Sequence, residues 1–295
     1  MKELRFGLLT NALYWAGWLS LEEIADWALE HSFSALEIGP TFPADEEEYA
    51  RVLKKGLSIS DLIYCRNLLD PSEEIAQKHR DEVKRRIEIA GSLGIGVVTI
   101  SAGIVTSIQG KIYDHYEAIR QLPVKSVESF VEVYEPLVRL AESRGVGLAI
   151  ENCPLMGNWA ISPHLWENIF GILDSKSLGL AYDPSHLVWQ FMDPYEPLYR
   201  FKEKLLLIHA KDTEILHSVL AEKGILTDFS WWRYRVPGWG EIDWRRFLSI
   251  LGETGYDGYV SIEHEDPLLG RSVEEVKKGI LMGKAHLEWC NGSRL

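Results

Sequence analysis

Leu180-Ala181-Tyr182-Asp183-Pro184-Ser185-His186 is an apolar run that stops abruptly on a carboxylate, a proline and an imidazole. Three other stretches break off in the same way: Leu148-Ala149-Ile150-Glu151-Asn152, Leu207-Ile208-His209-Ala210-Lys211-Asp212 and Val260-Ser261-Ile262-Glu263-His264-Glu265. A short, almost continuous apolar run suits a parallel strand buried on both faces. Polar residues gathered at the same end of each run suit a sheet with one chemically active rim. Asn11, Glu37 and Ser101 close earlier apolar runs.

Outward from these words the chain alternates strand and helix patterns. Strands are expected over residues 5–10, 35–38, 58–63, 97–100, 147–150, 179–182, 205–210 and 258–262, and helices over 21–30, 46–55, 72–93, 125–144, 164–173, 244–254 and 272–289. Several helix-to-strand joints share one form, as in Leu93-Gly94-Ile95-Gly96, Arg144-Gly145-Val146-Gly147 and Thr254-Gly255-Tyr256-Asp257-Gly258, where a left-handed glycine ends the helix and releases the next strand. No Pro/Ser-rich linker separates the units, and no G-x-G-x-x-G turn follows the first strand. The expected fold is α/β, a (β/α)8 TIM barrel forming a single domain over residues 1–295, rather than an open doubly wound sheet.

Of 295 residues, 46% are hydrophobic and 25% charged, an ordinary globular composition, and 44 acidic against 31 basic side chains give a net charge of -13. A nucleic acid partner is not expected, because neutralising phosphates requires a basic face and no Lys/Arg block is present. No apolar run approaches the roughly 18 residues needed to cross a bilayer, so no membrane partner is expected. Met1-Lys2-Glu3-Leu4-Arg5 and the apolar stretch after it read as a first strand, not a signal peptide, since Thr10 and Asn11 interrupt the stretch. Cys65, Cys153 and Cys290 form no C-x-x-C pair, which points to a reducing, cytoplasmic setting.

Glu151, Asp183, His209 and Glu263 end four successive strands, and in a barrel their side chains converge at the mouth. Three carboxylates that close repel one another unless a cation holds them. An imidazole with three carboxylates suits one divalent ion per chain, with Mn²⁺ expected first and Co²⁺ or Zn²⁺ next. His186, three residues past Asp183, is expected to contact substrate or support a ligand, and His264 to point to the opposite side of its strand and pack there. The segment from Ser230 to Trp244 gathers Trp231, Trp232, Arg233, Tyr234, Arg235 and Trp239 in a long connection, and is expected to close over the substrate as a loop. Ring faces cover C–H surfaces and guanidinium groups donate to oxygens, so Arg233, Arg235, Trp15, Trp18 and Trp189 suggest a sugar-like small molecule. Some tryptophans equally suit packing of the loop or a subunit contact, hence a homo-oligomer. Glu37 and Lys211, at strand ends, complete the expected substrate contacts.

These words resemble the sugar phosphate isomerase/epimerase family, the xylose-isomerase-like TIM barrels that include keto-sugar 3-epimerases, inosose dehydratases and the endonuclease IV group. The resemblance rests on Gly147-Leu148-Ala149-Ile150-Glu151-Asn152, Tyr182-Asp183-Pro184-Ser185-His186, His209-Ala210-Lys211-Asp212, Pro237-Gly238-Trp239-Gly240-Glu241-Ile242-Asp243-Trp244 and Ser261-Ile262-Glu263-His264-Glu265-Asp266-Pro267, with looser matches at Ala35-Leu36-Glu37-Ile38 and Ile100-Ser101-Ala102-Gly103. It implies a divalent metal on Glu151, Asp183, His209 and Glu263, with His186 facing the substrate. It also implies that Glu151 and Glu263 are the acid and base. The keto-sugar epimerases carry a glutamate six residues after the first ligand and an arginine six after the histidine ligand, where this chain has Gly157 and Ile215, so substrate fixation differs.

The chemistry of such a site is proton abstraction beside a carbonyl, with a metal stabilising the enediolate and a carboxylate taking the proton. The expected activity is that of a metal-dependent sugar isomerase/epimerase acting on a keto-sugar or related polyol ketone. The alternative is a lyase or dehydratase acting on inososes or 3-keto-glycosides. An abasic-site nuclease is disfavoured, because Ser101 stands where the endonuclease IV group has a histidine ligand and the chain is acidic.

Overall fold

The parallel sheet is built from strands that are largely buried on both faces. In a computed structural model describing residues 4–17, 19–105, 124–155, 157–226 and 228–292, these are β1 (Arg5–Leu9), β2 (Ala35–Ile38), β3 (Ser58–Leu62), β4 (Val97–Ile100), β5 (Gly147–Glu151), β6 (Leu178–Tyr182), β7 (Leu205–Ala210) and β10 (Tyr259–Ile262). A separate antiparallel hairpin, β8 (Asp212–Ile215) and β9 (Trp232–Arg235), follows β7 directly. The helices are α1 (Asn11–Gly17), α2 (Leu21–Glu30), α3 (Glu46–Lys54), α4 (Glu73–Leu93), α5 (Val124–Arg144), α6 (Pro163–Ile172), α7 (Ser185–Val188), α8 (Glu196–Arg200), α9 (His217–Lys223), α10 (Trp244–Thr254) and α11 (Val273–Gly292).

The order β3-β2-β1-β10-β7-β6-β5-β4 is that of a (β/α)8 barrel, as the sequence leads one to expect. Beyond the end of β3, the Tyr64 N–H donates to the Thr99 carbonyl of β4 at 2.7 Å, which links the two outer strands of that order. Packing divides the chain into one part comprising Met1–Leu36, Asp183–Lys202 and Ile208–Leu295, and a second comprising Glu37–Tyr182 and Glu203–Leu207. In the first, β1 pairs with β10 (Phe6 opposite Val260) and β10 with β7 (Ser261 opposite His209). In the second, β4 pairs with β5 and β5 with β6 (Glu151 opposite Ala181).

Local chemistry sets the helix ends. Ser20 caps α2 with a reciprocal box, accepting from Glu23 N at 3.3 Å while Ser20 N donates to Glu23 Oε2 at 2.8 Å. Asp45 accepts from Glu47 N and Glu48 N at the start of α3, a cap worth about 1 kcal/mol. Gly94 and Gly255 end α4 and α10 at φ of 71° and 78°, where a side chain would be strained. Among the described residues no helix is long and apolar enough to cross a membrane.

The connection after β7 departs from expectation. It is not one long loop: Trp232-Arg233-Tyr234-Arg235 alternates large aromatic and cationic side chains, which is a strand's two-residue period, and it pairs with Asp212–Ile215. Trp18 lies outside the described residues.

Candidate metal centre

Parallel register decides which groups meet. His209 and Lys211 are two apart along β7 and its extension, as are Ser261 and Glu263 along β10, and Ser261 lies opposite His209. Residues two apart share a face, so His209, Lys211 and Glu263 point the same way. Glu263 Oε2 lies 3.3 Å from His209 Nδ1, and Glu263 Oε1 lies 3.0 Å from Lys211 Nζ. Asp183, fully buried, is held by a turn in which its Oδ1 accepts from Ser185 N at 2.8 Å. Its Oδ2 thereby faces Lys211 Nζ and His186 Nε2, each at 3.1 Å.

Lys211 also donates to Glu265 Oε2 at 2.9 Å. An ammonium only 1% exposed is costly to bury. Burial opposes its charge, but Asp183, Glu263 and Glu265 outweigh burial and hold its pKa well above the ordinary lysine value. Three carboxylates around one ammonium still leave two negative charges unbalanced.

Asp183, His209 and Glu263 are all buried in the first part, and each offers one ligand atom lying within 4.8 Å of the others; Glu151 is buried at the end of β5 in the second part. Two carboxylates and an imidazole, beside a surplus of negative charge, fit a divalent cation by donor type and by charge. Glu151 ends β5, where the Cys65 thiol donates to its Oε2 at 3.1 Å. Burial, reinforced by the glutamate's charge, pushes the Cys65 pKa well up, so the thiol remains a donor. Buried Asn158 donates to the carbonyls of Glu151 and Cys153, both at 2.7 Å, and accepts from Ala102 N at 2.8 Å, fixing the chain at the end of β5.

The other expected residues sort differently. His186 Nδ1 lies 3.0 Å from the Tyr234 hydroxyl. Arg233 and Arg235 both donate to Glu214, and Arg235 Nε donates to Asp266 Oδ2 at 2.8 Å, so much of their donor capacity is spent inside the hairpin. Glu37 is fully buried on β2. Trp15, on α1, is 57% exposed and takes no part in these contacts. Trp189 stacks on Trp232 at 4.6 Å with 3° between ring planes, and with Trp231 and Ile215 it forms an aromatic core for the hairpin. His264 points the opposite way to Glu263 and packs on α11 so closely that a Cβ on Gly279 would lie 2.3 Å from its Nε2.

Sequence reasoning passed over Asp212. Its two oxygens accept from Thr213 N (2.9 Å), Gly238 N (3.0 Å), Ile242 N (3.2 Å) and Trp244 Nε1 (2.9 Å), so it anchors the return from β9 to α10. Burial raises its pKa to about 6 despite those four donors. Tyr234 and Cys65 were also passed over. Tyr234 carries a signal in the alternation of its strand, whereas Cys65 meets Glu151 across 86 positions and leaves no local trace.

A parallel barrel with acidic and imidazole groups at its strand ends defines a class of enzymes with chemistry at one rim. Residues 25–286 match the sequence profile described as xylose isomerase-like TIM barrel, and the chain belongs to that family. An inosose dehydratase of Clostridium botulinum (strain Alaska E43 / Type E3) is 26% identical over 267 residues, covering 88% of this chain and 86% of the relative. The fold is shared with a D-tagatose 3-epimerase-like protein (TM-score 0.68, 22% identity, 98% and 99% of the two chains). It is shared too with an IolI protein crystallised with a zinc atom (TM-score 0.70, 20% identity, 96% and 98%). The chain is accordingly an enzyme of this family.

Proposed function

We propose that the protein is a divalent-metal-dependent isomerase or epimerase acting on a keto-sugar or related polyol ketone. The observation that carries this reading is the meeting of Asp183 and Glu263 at Lys211, with His209 against Glu263; Glu151, at the end of β5, is proposed as the fourth ligand. Mn²⁺, Co²⁺ or Zn²⁺ would suit that donor set, one ion per chain. When bound, such an ion supplies Lewis-acid polarisation of a carbonyl and a neighbouring hydroxyl.

The chain's own residues supply the rest. Glu151 and Glu263 come from different strands, β5 and the end of β10, so one carboxylate takes a proton α to the carbonyl and the other returns one. Returning it to the opposite face of the same carbon gives an epimer, and to the neighbouring carbon an aldose–ketose isomer. Lys211 sets a buried cation 3.0 Å from Glu263 Oε1. Ile215 stands where the keto-sugar epimerases have an arginine, and here it is part of the aromatic core of the hairpin, which supports a different mode of substrate fixation.

A second reading, a lyase that expels a β-hydroxyl after the same proton abstraction, is favoured by the 26% identity to an inosose dehydratase. One experiment tests the shared step and separates the outcomes. A panel of ketoses, their phosphates, inososes and 3-keto-glycosides is incubated in D₂O with Mn²⁺, and deuterium is located by mass spectrometry and NMR. At least one compound takes up deuterium α to its carbonyl, and the product distinguishes epimer, isomer and alkene. Turnover of a true substrate without a labile C–H overturns both readings.

A further inference from the structure

The hairpin β8–β9 has two faces with different work. Arg233 lies opposite Glu214 and Arg235 opposite Asp212, the face that holds the hairpin together through ion pairs. Trp232 lies opposite Ile215 and Tyr234 opposite Thr213 on the other face, which packs on the segment following Asp183: Thr213 Oγ1 donates to the Ser185 carbonyl at 2.9 Å, and Trp232 stacks on Trp189. This geometry brings the Tyr234 hydroxyl 3.0 Å from His186 Nδ1, with the two rings edge-to-face at 86° and centroids 5.6 Å apart. The same ring carries the Lys211 ammonium 4.4 Å from its centroid.

We propose that Tyr234 is a positioning residue of this centre, fixing His186 in one ring orientation and one tautomer. The carboxylate oxygen of Asp183 lies 3.1 Å from Nε2, a charge contact outside hydrogen-bond alignment, and its negative charge favours the imidazole proton on that nitrogen. Nδ1 is then an acceptor, and the Tyr234 hydroxyl donates to it. A ring free to flip would turn a C–H edge toward Asp183, whereas the hydroxyl and the edge-to-face contact permit one orientation. Tyr234 also places its negative ring face against Lys211, so one side chain acts on both cationic or polar neighbours of Asp183. The residue thus joins the hairpin, an addition to the βα repeat, to a strand-end carboxylate. The part of the proposal that concerns metal rests on the reading of Asp183 as a ligand, and the part that concerns His186 does not.

The test uses full-length protein with ¹⁵N-labelled histidine, first free of metal. Long-range ¹H–¹⁵N spectra give the tautomer of His186, assigned by the signal that vanishes in His186→Gln. The expected result is a protonated Nε2 and an acceptor Nδ1, with the Nδ1 signal shifted toward that of an unbonded imine nitrogen in Tyr234→Phe, which keeps the ring and loses the donor. A wild-type Nδ1 that carries the proton, or spectra identical in Tyr234→Phe, overturns the proposal. Co²⁺ titration then asks about the metal: Tyr234→Phe weakens Co²⁺ binding roughly 10-fold, as loss of a group supporting a ligand does, and unchanged binding refutes that part. If wild-type protein fails to bind Co²⁺, the metal reading fails while the tautomer result still decides the hold of Tyr234 on His186.

Discussion

Asp183 and Asp212 are both completely buried aspartates just beyond strand ends, yet they lie in opposite kinds of surroundings. Asp212 accepts from four neutral N–H groups and faces no cation among its hydrogen-bond partners, so it closes a loop. Asp183 has one oxygen tied by Ser185 N and the other turned toward Lys211 and His186, beside Glu263 across the same ammonium. The difference teaches that burial alone does not mark a functional carboxylate. What separates the two is that one Asp183 oxygen faces an ammonium and an imidazole, whereas both Asp212 oxygens are taken up by N–H donors.

The largest effect expected from this contrast falls on the first region. Glu263→Gln keeps the shape of the side chain and removes its capacity to take a proton, so deuterium exchange into substrate drops roughly 10³-fold, while folding by circular dichroism is preserved. An exchange rate within a few-fold of wild type would move the base elsewhere. His209→Ala, beside it, lowers divalent metal content measured by elemental analysis, and metal retained at the wild-type level would break the assignment of the centre.

The second region answers in stability, not in metal content. Asp212→Asn turns an NH₂ group toward two N–H donors, destabilising the protein by about 2 kcal/mol with metal content unchanged. The pH dependence sharpens this. Because burial raises the Asp212 pKa to about 6 in the folded protein, above the ordinary 3.8, its contribution to stability is full below the unfolded value and is lost as pH rises through about 6. The advantage of wild type over Asp212→Asn in urea unfolding is therefore larger near pH 4 than at pH 8, by roughly 2–3 kcal/mol. An advantage that grows with pH would mean that the four donors outweigh burial.

The smallest effect belongs to the rim of the hairpin. Arg233 is about a third exposed and pairs with a similarly exposed Glu214, so Arg233→Ala costs less than about 1 kcal/mol. A large loss of substrate affinity in that variant, with stability intact, would make Arg233 a substrate contact.

The legible part of this molecule is the part written in short-range pattern. The strands at 35–38 and 205–210 and the helix ends at Gly94 and Gly255 follow from apolar runs and glycine placement within a few residues. The polar endings at Glu151, Asp183, His209 and Glu263 were readable for the same reason, since each interrupts an apolar strand. The hairpin was not, because Ile215 and Trp232 pair across an excursion with its own helix, and an Arg/aromatic alternation in a connection reads as loop chemistry. The ring of carboxylates around Lys211 depends on the register of β10 against β7, which joins residues about fifty positions apart and has no signature in either strand alone.

Lys211 has a further consequence, for the order in which the protein can be made. A centre of buried carboxylates without an internal counter-ion would resist assembly until metal arrived, as in small domains that stay unfolded when apo. Here an ammonium from the chain itself lies 3.0 to 3.1 Å from Glu263 and Asp183, so newly synthesised polypeptide carries its own provisional cation. Under the proposed function, folding would not wait on metal supply: the barrel is expected to form without the ion, and a chelator is expected to leave it folded.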